Sequence, residues 1–162
     1  MDDFVESLGP ALFAHRLRRL SEALVEDCGA WMPRVGVTSP AKAASTLLLL
    51  RAKGPLSVTQ IATHLKLSHP LIINLARELE GRDLVRIDQD LLDRRRRPVS
   101  LTDAGVVQAD RIAEVNRLMA RTYATLFADA GVDGLSAIEA LERALAKTPL
   151  STRLDDVAFA RA

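Results

Sequence analysis

The feature that most constrains this chain is a pair of short helical segments with almost nothing between them. Val58 to Leu65 carries the first, and Ser57 with Gln60 three residues on fits a capping box, in which each side chain satisfies a backbone N–H near the other. After a turn at Lys66-Leu67, Ser68 can cap a second helix running to about Arg82; Pro70 is tolerated because it falls in the first turn. Such a unit needs a small residue where its helices cross and apolar residues at fixed intervals elsewhere. Counting from Val58, the positions Ile61, Ala62, Leu65, Leu67, Ile72 and Leu75 meet that need, with Ala62 the small residue and Leu67 the plug of the turn. Lys66 stands where a left-handed backbone is common and glycine is usual, at a cost of about 1 kcal/mol that packing can offset.

Other elements follow from periodicity and punctuation. Leu8, Leu12, Phe13, Leu17, Leu20 and Leu24 predict a helix from Ser7 to about Asp27, stopped by Gly29 and Pro33, with Cys28 at its end. Ser39 as cap and Pro40 as first residue predict a second helix over Ala41–Arg51, ended by Gly54-Pro55, with Leu47–Leu50 central and buried. Leu84–Asp88 and Pro98–Leu101 read as short strands around a charged tip, Gln89 to Arg97. Thr102-Asp103 opens a long helix to about Asp129, with Asp110, Glu114, Arg117 and Arg121 on one face and Ile112, Val115, Met119 and Leu126 on another. Gly131 and Gly134 break it. A last helix, Leu135–Lys147, carries Leu135, Ile138, Leu141 and Leu145 inward and pairs Glu139 with Arg143; the tail after Pro149 is expected to be frayed or loosely docked. The predicted fold is mainly α with a small β-hairpin (α+β), laid out as a winged helix-turn-helix.

Composition excludes several functions. At 162 residues, 48% hydrophobic and 27% charged, the chain is expected to fold as one domain rather than stay disordered. One cysteine, Cys28, rules out a disulfide framework or a multi-cysteine zinc site. His15, His64 and His69 lack metal-ligand spacing, and neither a glycine-rich phosphate loop nor a Ser/His/Asp arrangement is suggested, so no enzyme activity, metal or cofactor is expected. An acidic Met1-Asp2-Asp3 start, unlike a secretory signal, and the lack of a membrane-length apolar run predict a cytoplasmic protein without membrane contact. Net charge is only +1, yet it is unevenly placed: residues 51–101 hold 10 basic and 6 acidic side chains, net +4, including the run Arg94, Arg95, Arg96 and Arg97. An arginine run is often just a solvated loop; a local basic patch also attracts phosphate when the whole molecule is neutral.

In a helix-turn-helix the second helix enters the major groove. Setting aside its inward residues Ile72, Leu75, Ala76 and Leu79 leaves His69, Pro70, Leu71, Ile73, Asn74 and Arg77 outward. Asn74 can pair bidentately with adenine, Arg77 can reach guanine or phosphate, and Leu71 and Ile73 can touch thymine methyls. Exposed Leu71 and Ile73 equally suit a protein-interaction patch. Lys66, the helix start at Ser68 and the arginines of the hairpin are the phosphate contacts.

The stretch Asp93-Arg94-Arg95-Arg96-Arg97-Pro98-Val99-Ser100-Leu101-Thr102-Asp103-Ala104-Gly105 resembles the wing signature of the MarR (multiple antibiotic resistance regulator) family, an Asp-x-Arg pair, a strand, then Leu-Thr-x-x-Gly opening a long helix. Gly54-Pro55-Leu56-Ser57 and Leu79-Glu80-Gly81-Arg82-Asp83-Leu84-Val85 are also similar to that family's first strand and helix-to-wing segments. The resemblance spans the chain in element order and residues 54–105 in detail. It implies that Asp93 holds Arg95 while a neighbouring wing arginine enters the minor groove, where a narrow electronegative groove favours arginine. Pro98 departs from the pattern and predicts a shorter or bulged wing.

The resemblance further implies a single MarR-like domain over residues 1–162: a reading lobe at about 39–101, dimerisation helices at about 7–28 and 102–148, and a tail at 149–162. It implies a homodimer on a pseudo-palindromic double-stranded DNA operator and a repressor released by a small aromatic or phenolic effector. The apolar faces of the flanking helices, which the small core cannot cover alone, agree with dimerisation. His15, Trp31 and Met32 are candidates to line an effector cleft or to pack the dimer interface. Two alternatives stand beside this reading: a winged-helix module that binds protein, and a redox-sensing regulator using Cys28.

Overall fold

The computed structural model describes residues 3–88 and 98–160. The chain divides into two compact units, Met1–Asn116 and Arg117–Ala162.

The first unit opens with α1 (Phe4–Ser7), a 3-10 turn (Gly9–Leu12) and α2 (Phe13–Trp31). Asp3 caps α1 by accepting from the Val5 N–H at 2.9 Å, and the Arg19 guanidinium 2.6 Å away is the main cause that holds its carboxyl below the usual range. Helix α2 runs past the expected stop at Asp27, through Cys28 and Gly29. A glycine inside a helix costs only about 1 kcal/mol, so the true stop comes later, at Gly36 (φ 73°), which closes the 3-10 turn Met32–Val35. Trp31 is therefore the last residue of α2 rather than a loop residue, and Met32 is buried.

A 3-10 turn (Ala41–Ala43) leads into α3 (Ala44–Lys53), ended by Gly54 at φ 76°. Ser39 is not the cap expected of it; Pro40 holds that position. The cause is a clasp from the start of the long helix: Gln108 Oε1 accepts from the Thr38 N–H at 2.8 Å and the Ser39 N–H at 3.3 Å, and its Nε2 donates to the Gly36 carbonyl at 3.2 Å. Ser39 is thereby drawn inward, and its buried hydroxyl finds no partner among the described residues. Leu47 and Leu50 are buried as expected, Leu48 and Leu49 half-buried.

Next come β1 (Leu56–Ser57), α4 (Val58–Leu65), α5 (His69–Gly81), β2 (Val85–Ile87) and β3 (Pro98–Leu101). The three strands form an antiparallel sheet in the order β1-β3-β2, with Leu56 opposite Val99, Ser57 opposite Pro98, and Val85, Arg86 and Ile87 opposite Leu101, Ser100 and Val99. Pro98 takes part in this pairing opposite Ser57, and the shorter or bulged wing expected of it falls on residues 89–97, outside the described residues. Pro98 is the first residue of the central strand, where a missing N–H matters least, and its carbonyl accepts from the Asp88 N–H at 3.0 Å. Leu84 is not in the strand because its N–H turns back to the Leu79 carbonyl at 3.0 Å.

The core of this unit gathers Leu47, Ile61, Ile72, Leu79, Val85, Val99 and Ile112. Of the six interior positions expected in the paired helices, Ile61, Ala62, Ile72 and Leu75 are buried and Leu65 is half-buried. Leu67 is 39% exposed and does not plug the turn. The left-handed Lys66 (φ 54°) lets the Leu67 N–H return to the Ala62 carbonyl at 3.0 Å, so backbone closes the turn and the side chain is left outside.

Ser57 and Gln60 form the full capping box, with the Ser57 N–H donating to Gln60 Oε1 at 2.9 Å and the Gln60 N–H to Ser57 Oγ at 3.3 Å. Replacing Ser57 by alanine is expected to lower stability by about 1 kcal/mol, read as a shift of the urea midpoint at constant m.

Helix α6 (Asp103–Ala130) begins in the first unit. Thr102 Oγ1 donates to the Asp83 carbonyl at 2.6 Å and accepts from the Gly105 N–H at 3.0 Å. Gly105 is buried against the Leu84 carbonyl so closely that a Cβ would overlap that oxygen. Ile112 and Val115 face the core, as their spacing predicts.

The second unit holds the rest of α6, α7 (Gly134–Lys147) and α8 (Leu150–Phe159). Asp133 caps α7: the Ser136 N–H and hydroxyl, at 3.0 and 2.7 Å, hold its carboxyl below the usual range. The expected Glu139–Arg143 pair is present at 3.6 Å. Two expectations fail here. The tail beyond Pro149 forms a helix, because Pro149 supplies an extended cap rather than an ending. Leu135, Ile138, Leu141 and Leu145, expected inward, are all at least 42% exposed among the described residues.

Candidate nucleic-acid interface

The site is built on α5 and its two neighbours. Lys66, in the left-handed conformation that ends α4, and Ser68, next to the start of α5, are both exposed. Ser68 occupies the cap position without making a side-chain cap bond. Pro70 explains this: it removes one of the two N–H groups that a cap hydroxyl can accept from. Along α5, Ile72, Leu75, Ala76 and Leu79 are buried, leaving His69, Pro70, Leu71, Asn74 and Arg77 exposed and Ile73 half-buried. The outward face assigned from sequence is therefore present, with Ile73 at its margin. His69 Nε2 lies 3.3 Å from Thr59 Oγ1 of α4, which fixes the imidazole at the helix entrance.

Electrostatics separate these cations from the rest. Lys42 and Arg82 both reach Glu78, at 2.7 and 3.6 Å. Arg51 pairs with Asp110 at 2.7 Å, and that hydrogen bond raises the guanidinium pKa further. No described residue offers Lys66, Asn74 or Arg77 such a partner. Their donors remain available to a ligand, and a groove carrying phosphates and base edges presents acceptors to match.

Sequence reasoning missed a polar bracket at the base of the hairpin. Arg86 Nε donates to Ser100 Oγ at 3.1 Å and pairs with Asp88 Oδ2 at 3.1 Å, while the Ser100 hydroxyl donates to Asp88 at 3.4 Å. Glu80, near the end of α5, accepts from the Ile87 N–H at 3.1 Å and ties that helix to β2. The available signal was Arg86-x-Asp88, two residues on the same side of a strand opposite Ser100. Asp93 and Arg94–Arg97 lie outside the described residues.

The three effector candidates do not come together in the chain. His15 and Trp31 are both half-buried on α2 but about 24 Å apart along its axis, and Met32 is buried beyond the helix end. Cys28 is half-buried on α2, and Tyr123 stacks on Phe127 in the second unit with ring centres 6.2 Å apart. Among the described residues, no cluster of His, Cys, Asp or Glu is arranged to hold a metal, and no helix is long and apolar enough to cross a membrane.

A sheet of three short strands against three helices, with a helix presented outward beside a hairpin, defines a winged helix-turn-helix protein. Residues 41–96 match the model of the MarR family. The fold is similar to the PcaV transcriptional regulator from Streptomyces coelicolor, solved with its natural ligand, at 23% identity over 91% of this chain and 99% of that one, TM-score 0.63. It is also similar to S. aureus MepR in complex with DNA, at 22% identity over 86% and 96%, TM-score 0.61. A third likeness is to a probable transcriptional regulator from Pseudomonas aeruginosa, at 21% identity over 83% and 95%, TM-score 0.58. No curated protein sequence matches the chain. The match to the MarR family is a likeness of the segment 41–96, about a third of the chain, and the three solved structures share its fold.

Proposed function

We propose that this protein is a cytoplasmic, homodimeric transcriptional regulator that binds double-stranded DNA at a pseudo-palindromic operator. The observation that carries the reading is the pair Asn74 and Arg77, three residues apart on the exposed side of α5, without partners among the described residues, inside the segment that matches the MarR family. Lys66, Ser68 and His69 flank that pair as phosphate contacts; Pro70, Leu71 and Ile73 complete the reading face. Arg94–Arg97, steadied by Asp93, supply the wing contacts. The DNA complex of MepR supports the assignment by likeness of fold.

The exposed leucines and isoleucine of α7 support dimerisation. In this reading residues 39–101 act as the reading lobe and the helices at about 7–28 and 102–148 join two chains within one functional domain. Repression relieved by a small aromatic or phenolic effector is the regulatory mode we infer, supported by PcaV having been solved with its natural ligand. The test is selection of bound fragments from genomic DNA, followed by titration of the selected duplex and a scrambled one. Asn74→Ala is expected to weaken the selected duplex by about 1–3 kcal/mol and leave the scrambled duplex unchanged. Equal losses on both duplexes would remove Asn74 from base reading.

One observation favours a second reading, the exposure of Leu71 on α5, which a winged-helix module that binds protein would use. Such a module would select no duplex.

A further inference from the structure

The exposed side of α5 is not uniformly polar. Leu71 is 46% exposed in the first turn, beside Pro70, and Asn74 follows three residues later. Ile73, the other apolar candidate, is half-buried. We propose that Leu71 is a specificity-determining residue that reads a thymine methyl within one or two base pairs of the adenine taken by Asn74, so that each half-site carries an A·T-rich core. The inference rests on the DNA-reading function above and narrows it to a base pattern.

Geometry sets the spacing. Three residues of α-helix advance about 4.5 Å, and successive bases of a duplex strand lie about 3.4 Å apart. A helix lying in the major groove therefore places Leu71 and Asn74 over neighbouring steps rather than over one base pair. The C5-methyl of thymine is the one apolar group that a base pair presents in that groove, and an amide reads adenine through its N6 and N7. Leu71 and Pro70, with Leu67 (39% exposed) two residues before α5, alternate along the chain with exposed Lys66, His69, Asn74 and Arg77, so the exposed apolar surface here is three side chains. That is too small and too closely interspersed with cations and polar groups for a protein interface, which needs about 800 Å² on each partner. A methyl group fits it.

The test uses the full-length protein and the duplex recovered by selection, with deoxyuridine replacing thymine at each position in turn, so that only the methyl is lost. Wild-type protein is expected to lose about fourfold in affinity at one thymine per half-site, and about fifteenfold when both half-sites are changed, from about 0.8 kcal/mol per methyl. That thymine should lie within two base pairs of the A·T pair at which Asn74→Ala abolishes discrimination. Leu71→Ala should bind the thymine and deoxyuridine duplexes equally; because Leu71 is exposed, circular dichroism should match wild type. Leu71→Met, which keeps apolar reach, should retain part of the discrimination. Deoxyuridine without effect near the Asn74 position, or undiminished discrimination by Leu71→Ala, overturns the inference while leaving DNA binding intact. Failure to select any duplex overturns the DNA-reading function itself, and this inference with it.

Discussion

Affinity for the selected duplex is expected to fall by ~10³–10⁵ when salt rises from 50 to 200 mM, the loss that accompanies neutralisation of ~6–10 phosphates. The chain as a whole carries only +1, so its overall charge contributes little. The slope must come from cations placed locally and left unpaired. Lys66 and Arg77 have no partner among the described residues, whereas Lys42, Arg51 and Arg82 are engaged by Glu78 and Asp110. With Arg94–Arg97 in the sequence, the two chains of the proposed dimer would supply enough cations for that many contacts. A plot of log affinity against log salt with slope near zero would show that phosphate is not the partner.

Gly105→Ala is expected to be the most damaging single-methyl change in the first unit. The added Cβ would overlap the Leu84 carbonyl oxygen, which already accepts the Thr102 N–H at 3.1 Å and cannot retreat without opening the turn between α5 and β2. Overpacking against backbone costs about 3 kcal/mol, at the upper end for such changes. The urea midpoint should drop accordingly with m unchanged, and duplex binding should weaken in step because the same turn joins α5 to β2. A stability equal to wild type would mean that α6 can shift to make room.

Local signals were the most legible. The capping box is an i,i+3 relation with a direct physical cause, and it formed as read. Burial of Ile61, Ala62, Ile72 and Leu75 followed from helical period, since a small core leaves few ways to orient two linked helices. Leu67 failed because the left-handed Lys66 lets backbone close the turn, an outcome that residue types alone do not fix. Ser39 and Ser68 failed as caps for separate reasons: a side chain about seventy positions away holds the first, and Pro70 removes a donor from the second. Periodicity identified the apolar stripe of α7 but not what covers it, because an inward face is defined only when the partner surface is known.

Within the candidate site, the outward residues of α5 were readable because the inward ones were. The bracket of Arg86, Asp88 and Ser100 was not, since it depends on the register of β2 against β3. The clasp of Gln108 on residues 36–39 was equally hidden, joining segments far apart in the chain.

The bond from Glu80 to the Ile87 N–H has a mechanical meaning when taken with the Thr102 hydroxyl on the Asp83 carbonyl. The far end of α5, the first strand of the hairpin and the opening turn of α6 are riveted to one another at a single corner. Movement of α5 away from that corner would break one or other of these bonds. A tilt imposed on the opening turn of α6 swings the helix and the hairpin base through the same arc, so a signal arriving along that route would shift the whole reading head rather than loosen one grip at a time.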